Sequence, residues 1–199
     1  IDILYIESEG FKNAQEKGLL YGPFSDKLPN VKLYFDTKDT NYLSREGLLT
    51  NHHMVPISRR QLSVIYNQDV FYEQPETFEA LMEIIKTYKG GFTYPDPRTS
   101  KEGEAFVLSV VGQYLDFDVF KLGAFDHAKF IEAIKPGIDD LIAIKPYLMD
   151  GGAVYPKSIE TLDAAFREDK AIMSLSMEFN YVTDRLREYE YPEGASTFI

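Results

Sequence analysis

The stretch from Gly90 to Tyr114, GGFTYPDPRTSKEGEAFVLSVVGQY, constrains the fold of this chain more than any other. Two glycines stop the helical pattern before it, and Phe92, Thr93 and Tyr94 then read as a short strand. Pro95 and Pro97 keep the next residues out of helical geometry until about Lys101, where an amphipathic helix begins. Thr99-Ser100-Lys101-Glu102 matches a Thr-x-x-Glu capping box, so the helix start is specified locally. The unpaired N–H groups of a helix start carry partial positive charge and suit an anionic or strongly polar group. Arg98, Thr99 and Ser100 stand at that mouth as candidate ligand contacts. The plainer alternative is that Thr99 only caps a core helix.

The rest of the chain supplies matching units. Residues 1–6 are an apolar run expected to be a buried strand, and Glu7-Ser8-Glu9 leads into a helix over 10–16 that Gly18 ends. Residues 19–29 predict a compact loop with one helical turn, residues 30–50 show no clear pattern, and 62–67 read as a strand. Phe78, Leu81, Met82, Ile85 and Tyr88 fall on one face of a helix. Two further helices are expected over 126–134 and 138–145, separated by Pro136-Gly137. A helix from Ser158, a strand over 171–177, a helix over 178–188 and a strand-like close at 196–199 follow. Strands alternating with helices imply an α/β fold with a mostly parallel sheet around 92–94 and 171–176.

In such sheets ligands gather at the loops leaving the carboxyl ends of strands. Glu7-Ser8-Glu9, the turn over 96–100 and Ser176-Met177-Glu178 are the turns of that kind, all polar or charged. The formal net charge of −11 argues against nucleic acid or an anionic membrane surface as partner. With 44% hydrophobic residues in 199, the chain can bury a core as one large domain or two smaller ones. It has no cysteine, which removes disulfides, thiolate metal sites and a thiol nucleophile. The glycine-rich, GxSxG and HExxH signatures are missing, and no cofactor is expected. His52 and His53 are adjacent, and in an extended segment they would point to opposite faces, as a surface or partly buried pair rather than metal ligands. Asp116-Phe117-Asp118 matches the start of a calcium loop, but Lys121 stands where that loop needs glycine. A hydrolase or transferase would have to use Ser174 or Ser176 without a well-placed histidine. A ligand-free interaction module is a further alternative.

Several blocks together resemble a known family. They are Leu19-Leu20-Tyr21-Gly22-Pro23-Phe24, Phe92-Thr93-Tyr94-Pro95-x-Pro97 with Gly103-x-Ala105-Phe106-Val107, Tyr155-Pro156-x-Ser158 with Leu162-Asp163, and Met173-Ser174-Leu175-Ser176. The pattern is similar to the extracellular solute-binding proteins of bacterial ABC importers, in a branch near the thiamine-, sulfate-, iron- and polyamine-binding members. The resemblance implies a type II periplasmic-binding fold, here mostly the second lobe plus the closing part of the first, with residues 1–68 a partial first lobe leading to the hinge and 69–199 an incomplete second lobe. It implies a non-enzymatic protein that captures a small polar solute between two lobes and delivers it to a membrane permease; Glu7, Glu9 and Glu178 suit a cation, Arg98 with helix N–H groups suits phosphate, sulfate or carboxylate, and a zwitterion satisfies both. It also implies an extracellular or periplasmic place, with a signal or lipid anchor in a longer parent. A chain cut from such a parent is expected to self-associate.

Carried over by the same resemblance, the ligand shell is Glu7, Ser8, Glu9 and Ser58 from the first lobe, and Arg98, Thr99, Ser100, Tyr155, Ser176, Met177 and Glu178 from the second. Tyr155 has the alternative of packing as a strand-end aromatic. Where that branch shows Asn-Gly-Glu-Asn-Phe this chain has Glu7-Ser8-Glu9-Gly10-Phe11, and Pro56-Ile57-Ser58 stands in place of Pro-Trp-Gly. Those departures leave the ligand's identity open.

Overall fold

The computed structural model describes residues 3–45, 48–57, 60–115, 126–178, 180–188 and 190–198. The chain divides into two compact units, residues 1–59 with 116–127, and residues 60–115 with 128–199.

In the first unit, α1 (Ser8–Glu16) follows the extended Glu7 and buries Phe11. A short 3-10 turn, Ser25–Lys27, lies within the loop expected over 19–29. α2 (Pro29–Tyr34) starts on a proline, whose missing N–H is one the first turn leaves unpaired anyway, and buries Val31. α3 (Thr40–Leu43) brings Tyr42 inside, and β1 (Ser44–Arg45) pairs antiparallel with β2 (Leu48–Leu49). The expected buried strand at the start of the chain does not form: Ile3, Leu4, Tyr5 and Ile6 are 89%, 54%, 76% and 37% exposed and belong to no strand. An apolar, β-prone run becomes a strand only where a neighbour supplies the other half of the ladder. Among the described residues none is hydrogen-bonded to this segment as a strand.

The second unit is built on a three-stranded sheet. β3 (Ser63–Asn67) lies between β4 (Met173–Ser176) and β5 (Ala195–Phe198), antiparallel to both. Ser63 stands opposite Ser176 and Tyr66 opposite Met173, while Val64 stands opposite Phe198. Side chains alternate across a strand, so Val64, Tyr66, Met173, Leu175 and Phe198 share one face, and Ser63, Ile65, Ser174 and Ser176 share the other. All of Val64–Asn67 and Met173–Ser176 is buried, so both faces are covered. The expectation of a mixed helix and strand fold is met, and that of a mostly parallel sheet is corrected: the described ladders are antiparallel. Alternating strand and helix patterns name the elements but not their partners, and β3 is bonded to segments that follow it by more than a hundred residues, as in the Ser63 Oγ bond to the Ser176 carbonyl across 113 positions.

Phe92, Thr93 and Tyr94 are buried and carry no ladder. Pro95 and Pro97 have no N–H to give one. The segment's polar backbone is satisfied singly instead: Ile172 N donates to Gly91 O at 2.7 Å, Met149 N to Phe92 O at 2.8 Å, and Asp96 N to Pro156 O at 2.7 Å.

Two helices of this unit begin on a side-chain cap. Thr77 caps α4 (Phe78–Thr87) by accepting from Ala80 N at 3.2 Å, and Met82 and Ile85 are buried. α5 (Lys101–Gly112) buries Phe106, Val110 and Val111, and the Phe106 ring meets those of Tyr94 at 4.8 Å and Phe92 at 5.4 Å. α6 (His127–Ile144) is one helix with Pro136 inside it, not two. Pro136 is exposed, so water can take the carbonyl that its missing N–H leaves free. Gly137 next to it is there for packing, since a β-carbon would lie 2.6 Å from Val111 Cα. α7 (Ile159–Arg167) buries Leu162 and Phe166, and α8 (Tyr181–Arg187) follows β4. Among the described residues no helix is long and apolar enough to cross a membrane.

One buried carboxylate ties α7 to the chain that returns toward β5. Asp163, 3% exposed, accepts from the Tyr191 hydroxyl and pairs with Arg167 Nε at 3.2 Å. The Tyr191 ring meets Phe166 edge-on at 5.1 Å, so phenol and ring are both engaged. Burial and this bond hold the Tyr191 phenol protonated well above the ordinary tyrosine range. Asp163→Ala strands that buried hydroxyl, and it is expected to destabilise the protein by about 1–3 kcal/mol in urea denaturation, with the m-value unchanged.

Candidate functional site

The turn between the Phe92–Tyr94 segment and α5 is stiffened by its own charges. Asp96 Oδ1 accepts from Arg98 N at 2.9 Å, and its two oxygens take Arg98 Nε at 2.9 and 3.2 Å and Nη2 at 2.6 Å. The guanidinium's side-chain bonds, then the Arg98 amide, hold the Asp96 carboxyl down at about 2. Arg98 is therefore committed to Asp96, although its side chain is 86% exposed.

The expected cap moves by one residue. Ser100, 8% exposed, is the N-cap of α5, accepting from Gly103 N at 3.4 Å while its hydroxyl donates to Glu102 Oε2 at 2.6 Å. Thr99 is not the cap: its hydroxyl donates to the Lys157 carbonyl at 2.8 Å. That bond wins because Pro156 and Lys157 are already alongside, through the Asp96 N bond to Pro156 O. Gly103 is required by the same seating, as a β-carbon there would lie 2.1 Å from Pro95 O.

Tyr155 is brought to this turn by the same strip of chain. It is half-buried, its ring 5.1 Å from that of Tyr94. Burial first, and then the hydrogen bond with Tyr155, push the Tyr94 phenol above its ordinary range. Packing and ligand contact are compatible in this position, since Tyr155 is only partly buried.

Ser176 closes β4, buried, with its Oγ accepting from Glu178 N at 3.0 Å and its carbonyl accepting from Ser63 Oγ at 3.1 Å. Met177 is half-buried and Glu178 exposed. Among the described residues no hydrogen bond joins this turn to the one at Asp96–Ser100. In the first unit Glu7 is exposed at the start of α1 and makes no side-chain cap; the side chains of Ser8 and Glu9, and Ser58 as a whole, lie outside the described residues. Asp116, Phe117, Asp118 and Lys121 lie outside them too.

The arrangement is chemically a set of hydroxyls, phenols and carboxylates. The α5 start already holds Ser100 and the Glu102 carboxylate, so an outside anion competes with a resident one. The hydroxyl of Ser174 and that of Thr93 are buried without a hydrogen-bond partner among the described residues. Sequence reasoning had the turn over 96–100 and Glu102 but missed the Asp96–Arg98 pairing and the Lys157 carbonyl, because only the fold puts residues near 96 and 157 together. His52 and His53 are partly buried, one of the two settings expected for them, but their backbone differs from the expectation. They do not lie in an extended segment: Asn51 and His52 have φ of 48° and 58°, and the turn brings both imidazoles partly inside. Adjacent histidines beside Asn51 were the available signal. Among the described residues no group of three or more His, Asp or Glu side chains is placed to hold a metal ion.

No family model matches the chain. Over 200 residues the chain is 26% identical to Protein YnjB of Escherichia coli (strain K12), covering all of this chain and 50% of that protein. The chain thus spans about half the length of the curated relative it matches.

Two substitutions probe the turn. Arg98→Ala is expected to return the Asp96 carboxyl toward the ordinary value of about 3.9, read by carboxyl carbon NMR through a pH titration. A folded value of about 2 lies below the unfolded one, so the turn's stabilisation is present above about pH 4 and is lost as pH falls toward 2. Arg98→Ala should reduce that acid-side dependence at Asp96, leaving the part due to the residue-98 amide. Gly103→Ala would add about 1 kcal/mol of helix propensity elsewhere, but here the contact with Pro95 O outweighs it. A lower Tm with disordered Asp96–Ser100 amide signals is the expected outcome.

Proposed function

We propose that this protein is the solute-binding component of a bacterial ABC importer, holding a small polar solute between two lobes of a type II periplasmic-binding fold and handing it to a membrane permease. The observation that carries the proposal is the meeting of two of the blocks that resemble that family. Phe92-Thr93-Tyr94-Pro95-x-Pro97 and Tyr155-Pro156-x-Ser158 are joined by the Asp96 N bond to Pro156 O and the Thr99 bond to Lys157 O. Residues that look alike to a family for the sake of a ligand loop should support one another in this way. The match to YnjB along the whole chain supports a single common ancestry for these blocks rather than a chance motif.

The solute is taken to be cationic or zwitterionic. Arg98 is already neutralised by Asp96, while Glu102 and Glu178 stand at the two turns. By the same proposal the whole protein works outside the cytoplasm, anchored at or released near the membrane. The hydrolase alternative gains no support: Ser176 Oγ is engaged with its own turn, and Ser174 Oγ meets no base among the described residues.

Native mass spectrometry of the whole protein, purified without denaturant, tests this. A mass increment that disappears on unfolding, and a Tm that rises when the recovered solute is added back, are expected. A protein that carries no increment and shows no shift with amines, amino acids, thiamine or oxyanions overturns the proposal.

A further inference from the structure

The helix α8 differs from the other helices of the second unit in what holds it. α4, α5, α6 and α7 each bury at least two residues, whereas α8 buries none among the described residues, and its Tyr181, Val182 and Leu186 reach the core only in part. So short a helix gains little from propensity alone, and its hold comes from what its side chains touch. Here those contacts are ionic and aromatic. Arg185 Nη1 donates to Glu190 Oε2 and lies 3.5 Å from Glu188 Oε2, while its guanidinium sits over the Tyr181 ring, 5.0 Å from the centroid. Glu190 is shared, since Arg167 Nη1 of α7 reaches the same Oε2 at 3.5 Å. Arg167 Nε in turn pairs with Asp163, so one run of charges leads from α8 through Glu190 into α7.

The aromatic rings join the same run. Tyr181 meets Tyr191 edge-on at 6.1 Å, and the Tyr191 hydroxyl donates to Asp163. Burial first, and then the Asp163 charge, raise the Tyr181 phenol above its ordinary range. The two ends of the run differ in access to water. The Asp163 side chain is 4% exposed, whereas those of Arg185 and Glu190 are 31% and 35% exposed. Salt therefore screens the Arg185–Glu190 pair and largely spares the contacts of Asp163. α8 is also the next helix after β4, and it is tied to the turn between them. Tyr181 N donates to Glu178 O at 3.4 Å, and Glu178 N donates to Ser176 Oγ at 3.0 Å.

We propose that α8 is a strap latched by Arg185 onto Glu190, which opens by itself while the sheet stays folded and loosens the turn over 176–178 as it does so. A partly exposed ion pair contributes little singly, and the latch depends on Arg185 touching Glu190, Glu188 and Tyr181 at once. Segments with few buried apolar contacts open locally at lower cost than the core they border. β3 and β4, fully buried over Val64–Asn67 and Met173–Ser176, are that core. Ionic strength thereby sets how firmly the turn over 176–178 is held. The strap is a property of the second unit and does not depend on which solute the turn contacts.

The test is amide hydrogen exchange of the whole protein, read by NMR in about 0.01 M and about 1 M sodium chloride, between which the screening length falls from about 30 Å to about 3 Å. In the wild type the amides of 184–187 and of Glu178 are expected to exchange about tenfold faster at the higher salt, while those of β3 keep their rate. Arg185→Met keeps the apolar stem and removes the charge, and its 184–187 amides are expected to be fast at both salt concentrations. Should that variant fail to fold, Glu190→Gln removes the same latch from its other side. Unchanged exchange at 184–187 in either arm shows that apolar packing holds α8, and it overturns the strap. Acceleration that spreads equally to β3 is unfolding of the whole unit and overturns it as well. Fast amides at 184–187 beside a Glu178 amide that keeps its rate overturn the coupling to the turn.

Discussion

The second unit depends on β3 being hydrogen-bonded along both edges while its side chains are buried on both faces. Val64, Ile65 and Tyr66 are 7%, 0% and 2% exposed, and Tyr66 stacks on Phe71 at 4.9 Å and meets Phe198 edge-on at 5.4 Å. The partners β4 and β5 come from the far end of the chain. Closing so long a loop costs little more than closing a shorter one, because the entropy grows only with the logarithm of length. Each apolar side chain buried against the strand contributes about 1.5–3 kcal/mol. The sheet is therefore affordable in its order, and the remaining segments are hung from it. The start of the Phe92–Asp96 segment is fastened to β4 by the Ile172 bond to Gly91, and the strip from Met149 to Lys157 is fastened to that segment in turn.

A buried stretch without a ladder needs another way to satisfy its backbone, and here that need shapes the candidate site. The prolines that prevent a ladder leave carbonyls and amides to be matched one at a time by Ile172, Met149 and Pro156. Each match draws in a different part of the chain. Their sum is a turn at Asp96–Ser100 whose position is over-determined, with Arg98, Thr99 and Ser100 each already engaged within the protein. Such preorganisation lowers the entropy that a ligand would otherwise have to remove on binding.

The first unit solves the same problem less completely. Its turns around Phe24 and His52 are paired through backbone groups, yet Asp26, His52 and His53 bring polar atoms inside and leave them unmatched. Low dielectric makes an unmatched polar atom more expensive and a matched one stronger.

Local chemistry in the sequence determined much of this protein. The helix faces led by Phe78 and by Ile159, the strand at Ser63–Asn67, the prolines that hold Pro95–Pro97 out of a helix, and the polar turn before α5 all follow from spacing and backbone preference, which act within a few residues. What the tertiary structure decided is everything that requires two distant segments to choose each other. The ladders are antiparallel rather than parallel, Ile3–Ile6 stays outside any strand, Pro136 sits within one helix, and Ser100 rather than Thr99 caps α5 because Lys157 has taken the threonine hydroxyl. The pairing of the turn at Ser25–Lys27 with the His52 carbonyl is of the same kind. Hydrogen-bond partners and buried neighbours are assigned by the whole packed chain, and no short window of sequence contains the residue at the other end.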